Sequence, residues 1–422
     1  MATTDAHSDD RLRSPEVDAL SPVDRHLTTT LVLGTLRWQL ALDARIHALL
    51  ARPDAKLSVE AATALRMGAF QLLHLERVPA HAVLHDSVEL VKQSKEPGAA
   101  GMVNAVLRKI QSAPPVPPDP AAAHPAWMVE RWVRRYGREA AHAICRWDQE
   151  PAGVTLRVPD PEADLDGLET EAGFFLTRAR RVVRGDVGPA FPEGPIRSQL
   201  RIQDEASQLV AEMAAAAATV EGKVLDTCAA PGGKTAILAE RLPGAEITAM
   251  DVSRKRLDAM LRLLPGIAHR LRPEVADAAK LQLQPEWDLI LCDVPCSGTG
   301  TLARNPEIRL HAAEADLARQ RARQAAILRA ALRGLRPGGR LVYSTCSLEP
   351  EENEQVVEAL LRETPGVRIL PVAGILDRLA ERGAVSPEGR ERLRTATQGD
   401  FLRTLPGLHP CDGFFAAILE KP

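Results

Sequence analysis

The sequence predicts a multidomain protein with an all-α N-terminal domain followed by an α/β C-terminal domain. Residues 22–112 show helical periodicity with few turn residues, and SAPPVPPDPAAAHP then interrupts any regular element. Beyond residue 200, strand, turn and helix signals alternate, the pattern of a parallel sheet covered by helices. At 422 residues, the chain has room for two or three domains of about 100–200 residues each.

In the helical part, Leu65, Met67, Phe70, Leu72, Leu73 and Leu75 crowd one short window. Pro114, Pro115, Pro117, Pro118, Pro120 and Pro125 then favour an extended, semi-stiff spacer over 113–125. From Trp127 the segment WMVERWVRRYGREAAHAICRW predicts one helix, and TLRV and FFLT predict short strands in a mixed region, 126–200. In the last part, 201–422, the predicted order is KVLD, the helix TAILAERL, EITAMD, the helix SRKRLDAMLRLL and WDLILCD. A long helix near ADLARQRARQAAILRAALRGL follows, then RLVYST and FFAAILE.

Composition excludes several classes. Apolar residues make up 45%, charged residues 26%, and no uninterrupted apolar run approaches the roughly 18 residues of a membrane span. The first 30 residues carry acids and lack an apolar signal core, so the expected location is the cytoplasm. Six cysteines without a C-x-x-C pair are too sparse for a disulfide scaffold, and Cys292-x-x-x-Cys296 lacks a second ligand pair for zinc. No metal is expected. Net charge, 53 minus 56 or −3, neither points to nor excludes a nucleic acid.

The segment Val224-Leu225-Asp226-Thr227-Cys228-Ala229-Ala230-Pro231-Gly232-Gly233-Lys234-Thr235 runs from strand through Gly-rich turn into helix, at the edge where open α/β sheets bind ligands. A P-loop would need glycine where Cys228 stands, and G-x-G-x-x-G is absent. The next strand nevertheless ends at Asp251, 19 residues beyond Gly232, about where an acid would bind ribose hydroxyls. Sugar binding without a pyrophosphate cradle fits S-adenosylmethionine.

Asp293-Val294-Pro295-Cys296-Ser297-Gly298 and Ser344-Thr345-Cys346-Ser347 each follow an apolar strand. If those strands are parallel neighbours, both thiols converge on the ligand edge. Paired thiols suit methylation of a pyrimidine C5. A thiolate adding at C6 makes C5 nucleophilic, and a second group must then help remove the C5 proton so that the thiolate can leave. Asp293 is placed to hydrogen-bond the base edge. Position alone does not say which thiol attacks.

With these motifs the chain resembles the Sun/RsmB-type bacterial RNA (cytosine-5) methyltransferases over nearly its whole length. The resemblance implies a Rossmann-like class I methyltransferase domain over 201–422, with S-adenosylmethionine held by Cys228, Ala229, Ala230, Pro231, Gly232, Gly233 and Lys234. It further implies that Asp251 holds the ribose, Asp277 the adenine end, and Asp293 part of the cofactor and target-base pocket. Cys346 would be the nucleophile and Cys296 would assist release. Gln203-Asp204-Glu205-Ala206-Ser207, Arg304-Asn305-Pro306-Glu307-Ile308-Arg309, Glu349-Pro350-Glu351-Glu352-Asn353-Glu354 and Asp412-Gly413-Phe414-Phe415 also fit the family. Pro159 and Leu310 depart from its usual asparagine and tryptophan.

Residues 22–112 resemble the RNA-binding helical domain of the antitermination factor NusB, through Arg66-Met67-Gly68-Ala69-Phe70-Gln71-Leu72, Arg77-Val78-Pro79-Ala80-His81-Ala82-Val83 and Val103-Asn104-Ala105-Val106-Leu107-Arg108-Lys109-Ile110. The implied partner is a hairpin loop of 16S ribosomal RNA, where a cytosine must be unstacked before chemistry at C5. Candidate phosphate contacts are Arg131, Arg134, Arg135 and Arg138, then Arg178, Arg180, Arg181 and Arg184. Aromatic residues total 3%, so shape and charge rather than an extended stacking platform would carry RNA binding. The alternatives are the same chemistry on transfer RNA or another ribosomal cytosine, and a non-enzymatic RNA-binding factor.

Overall fold

The structure is a computed structural model that describes residues 8–12, 14–114, 116–165, 167–185, 187 and 200–422. The chain forms two compact units, Met1–Ala152 with Leu302–His311, and Gly153–Thr301 with Ala312–Pro422.

The first unit is helical, as its periodicity predicts. Its helices include Pro22–Leu49, Val59–His74, Ala80–Lys92 and Ala100–Ser112. Ser21 accepts a hydrogen bond from the Asp24 amide with Pro22 in the first turn, and Ser58 caps the next helix through Ala61. Val103, Leu107 and Ile110, spaced along one face, are buried against Leu42, Ile46 and Leu65. Close approach needs glycine at position 68, where a Cβ would meet Leu107 Cδ1 and Ser87 Oγ at 2.7 Å.

One expectation is corrected here. The helix predicted over 127–147 is two helices, Ala126–Tyr136 and Arg138–Trp147, because Gly137 takes φ +85° and breaks the run. Both belong to the first of the two compact units, which divide at Ala152/Gly153. The chain also re-enters this unit at Leu302–His311. There Arg309, 1% exposed, donates to the carbonyls of Arg37, Ala123, Asp148 and Leu302, and Arg37 Nη2 donates to Ala303 O at 2.8 Å.

The second unit opens with a small antiparallel sheet of β1 (Thr155–Arg157), β2 (Glu169–Ala172), β3 (Ala179–Arg184) and β4 (Arg201–Ile202), ordered β2-β3-β1-β4. TLRV supplies β1, but FFLT is not a strand. The amides of Phe174, Phe175 and Leu176 donate instead to the Glu205 carboxylate at 2.6–2.8 Å. That demand for a local acceptor displaces the ladder to ARRVVR, residues 179–184.

The main sheet comprises β5 (Lys223–Asp226), β6 (Glu246–Asp251), β7 (Leu271–Val275), β8 (Trp287–Asp293), β9 (Leu335–Thr345), β10 (Arg368–Leu370), β11 (Thr397–Gln398), β12 (Phe401–Arg403) and β13 (Phe415–Glu420). Its order is β11-β12-β13-β9-β8-β5-β6-β7, with β10 also on β13. Strands β5 to β9 pair in parallel, whereas β13 runs antiparallel to β9. Leu225, Leu289, Ile290, Leu291, Leu341 and Val342 are fully buried, as expected for central strands covered on both faces. After β7 the chain crosses to β8 on the far side of β5, so the sheet has its switch point between β5 and β8. Open α/β sheets bind ligands outside the carboxyl ends of the strands at such a point.

Candidate active site

Every proposed site residue sits at that carboxyl edge. The loop after β5 is held by β5 itself: Asp226 accepts from Thr235 Oγ1 at 2.7 Å and from the Cys228 amide at 3.4 Å. Burial pushes the Asp226 carboxyl up to about 6, the Thr235 hydrogen bond only partly opposing it. The loop is also pinned to the end of β6, where the Ala229 amide donates to Met250 O at 2.7 Å and Arg256 donates to Ala230 O at 2.6 Å. Between these ties and the helix Gly233–Arg241, after Pro231, Gly232 takes φ +103°, and a Cβ there would meet Met260 Cγ at 2.6 Å. Only glycine makes that turn without strain.

The donor set fits S-adenosylmethionine. Asp251, last in β6 and 2% exposed, accepts from the Ser253 amide at 2.9 Å and pairs with Arg256 at 3.0 Å. A carboxylate has about four acceptor positions, leaving Asp251 able to take a sugar hydroxyl. Asp277 follows β7, turned by the Ala279 amide at 3.1 Å. The first turn of Gly233–Arg241 offers backbone N–H groups that suit a carboxylate. Cys228 contributes shape: burial pushes its thiol up to about 12, with Asp226, Asp293 and Asp251 adding to the effect.

The thiols meet. Cys296 Sγ lies 3.3 Å from Cys346 Sγ, because β8 and β9 are parallel neighbours in register at Asp293 and Ser344. The hydrogen bond with Cys346, then burial, then the Cys346 and Glu352 charges hold the Cys296 thiol well above its ordinary range. Asp293 joins the cofactor loop to the thiol strands: Oδ2 accepts from Lys234 Nζ and Oδ1 from Ser344 Oγ, both at 2.7 Å. Burial alone would lower the Lys234 ammonium, but the Asp293 carboxylate outweighs it and raises it, so the lysine stays charged, 5.0 Å from the centre of the Phe414 ring. Gly300 is required by contact, since a Cβ there would meet Gly413 O at 2.2 Å.

Sequence reasoning gave no individual role to Glu352, which lies behind both thiols and accepts from Ser297 and Ser347. The run Glu349-Pro350-Glu351-Glu352-Asn353-Glu354 signals acids after the Cys346 strand but does not say which one faces the two serines. The arginines divide. Arg178 lies 3.9 Å from Glu240, Arg180 donates to Pro161 O at 2.6 Å, Arg181 pairs with Glu171, and Arg134 is 4.0 Å from Glu130. Arg138 and Arg184 are exposed, and Arg131 and Arg135 lie on Ala126–Tyr136. Among the described residues no group of three or more His, Cys, Asp or Glu could hold a metal, and no helix is long and apolar enough to cross a membrane.

Residues 214–420 match the family model described as 16S rRNA methyltransferase RsmB/F, residues 2–112 that of the NusB family, and residues 124–167 that of an RsmF/B-like ferredoxin-like domain. The chain is 33% identical to the probable ribosomal RNA small subunit methyltransferase B of Bacillus subtilis, covering 95% of this chain and 92% of that one. It is 35% identical to the ribosomal RNA small subunit methyltransferase B of Xanthomonas campestris, covering 95% and 90%. Its fold resembles the crystal structure of PH0851 with a TM-score of 0.76 at 23% identity, over 96% of this chain and 92% of that one.

Proposed function

The chain belongs to the 16S rRNA methyltransferase RsmB/F family, and from that premise we propose that it methylates C5 of a cytosine in a hairpin loop of 16S ribosomal RNA, using S-adenosylmethionine. The observation that carries this reading is the thiol pair, two sulfurs 3.3 Å apart beside a loop that fits the cofactor.

Cys228 to Lys234, Asp251 and Asp277 hold S-adenosylmethionine, which when bound supplies an electrophilic methyl group. Cys346, its proton lost to solvent, attacks C6 of the extruded base as thiolate; the C–S bond forms as the C5–C6 π pair shifts toward C4 and N3, leaving C5 enamine-like. Asp293, with two acceptor positions taken by Lys234 and Ser344, offers its remaining lone pairs to the exocyclic amino group of cytosine. In the free enzyme, the Cys346 hydrogen bond is the largest cause holding Cys296 protonated. Formation of the Cys346–C6 bond removes that cause while burial and the Glu352 charge remain, and Cys296, its own proton passed to solvent, takes the C5 proton. The electron pair of the C5–H bond then forms the C5–C6 double bond as the C6–S bond breaks and Cys346 leaves as thiolate.

The test is methyl transfer from labelled S-adenosylmethionine to unmodified 16S ribosomal RNA and, in parallel, to bulk transfer RNA, with the product nucleoside identified by mass spectrometry. The reading expects 5-methylcytidine at a single position of the ribosomal RNA. Label confined to transfer RNA, or found on another base, overturns it.

A further inference from the structure

The two thiols sit on separate loops, which backbone bonds join through the Val294 amide to Ser344 O at 3.0 Å and the Gly300 amide to Cys346 O at 2.9 Å. A side-chain tie lies one residue beyond each thiol. Cys296 is followed by Ser297 and Cys346 by Ser347, and both hydroxyls donate to the same oxygen of Glu352, Ser347 Oγ at 2.5 Å. The hydroxyls are themselves 3.1 Å apart. The other carboxylate oxygen accepts the Ser297 amide at 2.8 Å and Gln324 Nε2 at 2.9 Å, and Gln324 also donates to Pro295 O at 3.0 Å. Four donors therefore fill the roughly four acceptor positions of a carboxylate that is 0% exposed.

The clamp is anchored from behind. Tyr343 of β9 donates to Glu352 O at 2.5 Å, and Asn353 ties Thr345 Oγ1 at 2.5 Å and Ser347 O at 2.8 Å. One short segment after β9 thus grips the residues flanking Cys346 and, through Glu352, the residue after Cys296.

We infer that Glu352 is the positioning residue of the thiol pair: through Ser297 and Ser347 its carboxylate fixes the separation of Cys296 and Cys346. The inference rests on the reading that both sulfurs serve adjacent ring carbons of one pyrimidine, which makes their separation a specification of the reaction. Glu352 itself touches neither sulfur among its hydrogen bonds and acts through the two serines.

Three variants test it: Glu352→Leu, which removes every side-chain tie of the carboxylate; the double Ser297→Ala/Ser347→Ala, which removes only the two hydroxyls; and Glu352→Gln. In the last, the amide oxygen can keep the Ser297 amide and Gln324 while rotated hydroxyls accept from the amide nitrogen. Since a misplacement of about 1 Å costs about 100-fold, Glu352→Leu and the serine double should lose about 100-fold in kcat with KM for RNA and cofactor within about threefold, and Glu352→Gln should lose less. Bridging of both thiols by phenylarsine oxide, read by mass without RNA and absent in Cys346→Ala, should weaken in the same order. If Glu352→Leu does not fold, the serine double decides. A serine double with the wild-type kcat and bridging, or a Glu352→Gln that loses as much as the serine double, overturns the inference. Cys346→Ala and Cys296→Ala run alongside separate the two claims: if both retain turnover, the thiol reading has failed, and if they do not while the serine double is unaffected, only the role of Glu352 has.

Discussion

Cys296 and Cys346 are separated by 50 residues in the chain and by 3.3 Å between sulfurs. The parallel pairing of β8 with β9, in register at their carboxyl ends, brings the two loops side by side.

Asp251 should govern cofactor affinity more than chemistry. It is buried at the end of β6, and a hydrogen bond to a charged group is worth about 1.5–3 kcal/mol. Asp251→Ala is expected to weaken S-adenosylmethionine binding about 10- to 100-fold by calorimetry, with a smaller change in rate at saturating cofactor.

Gly232→Ala should damage the same site by strain. Its φ of +103° disfavours any side chain, and the added methyl would sit 2.6 Å from Met260 Cγ. A cost of about 1–3 kcal/mol is expected in chemical denaturation, together with loss of cofactor binding.

Asp226 sets a pH dependence. Its carboxyl is pushed from 3.8 up to about 6 by burial, so the folded state binds this proton more tightly than the unfolded chain. The stabilisation is fully present below pH about 4 and is lost as pH rises through about 6, amounting to about 3 kcal/mol for a shift of about two units. Asp226→Asn should flatten the loss of stability between those pH values. Urea unfolding of wild type and variant at pH 4.5 and 7 measures it; parallel curves for the two proteins contradict it.

Arg309 should stabilise the helical unit. Its buried guanidinium serves four carbonyls, and each orphaned buried polar group costs about 1–3 kcal/mol. Arg309→Met is expected to destabilise that unit by about 3 kcal/mol or more, seen in scanning calorimetry as a separate, earlier transition.

The catalytic strands were legible because fully buried parallel strands are written as continuous apolar runs, such as Leu289 to Cys292. Their carboxyl ends located Cys228, Asp251, Cys296 and Cys346 at once. The short edge strand β7 was not legible: Pro273 interrupts it and Arg272 and Pro273 are exposed, which an edge position tolerates and a sequence pattern conceals. FFLT misled because its apolar run serves packing beside Glu205 and no ladder. The re-entry of Leu302–His311 was not legible, because Arg309 makes its contacts with helices that lie far earlier in the chain. Glu352 was hidden for a simpler reason: four neighbouring glutamates share one composition, and only folding selects which carboxylate faces Ser297 and Ser347.

The most direct measurement is the identity of the trapped adduct. Cys296→Ala, Cys346→Ala and wild type are incubated with unmodified 16S ribosomal RNA and S-adenosylmethionine, and covalent protein–RNA species are mapped by mass spectrometry after nuclease and protease digestion. The expected result is a methylated cytidine attached to Cys346 that accumulates in Cys296→Ala and is absent from Cys346→Ala. An adduct on Cys296 in the Cys346→Ala protein, or turnover that survives loss of Cys346, contradicts the division of labour between the two thiols.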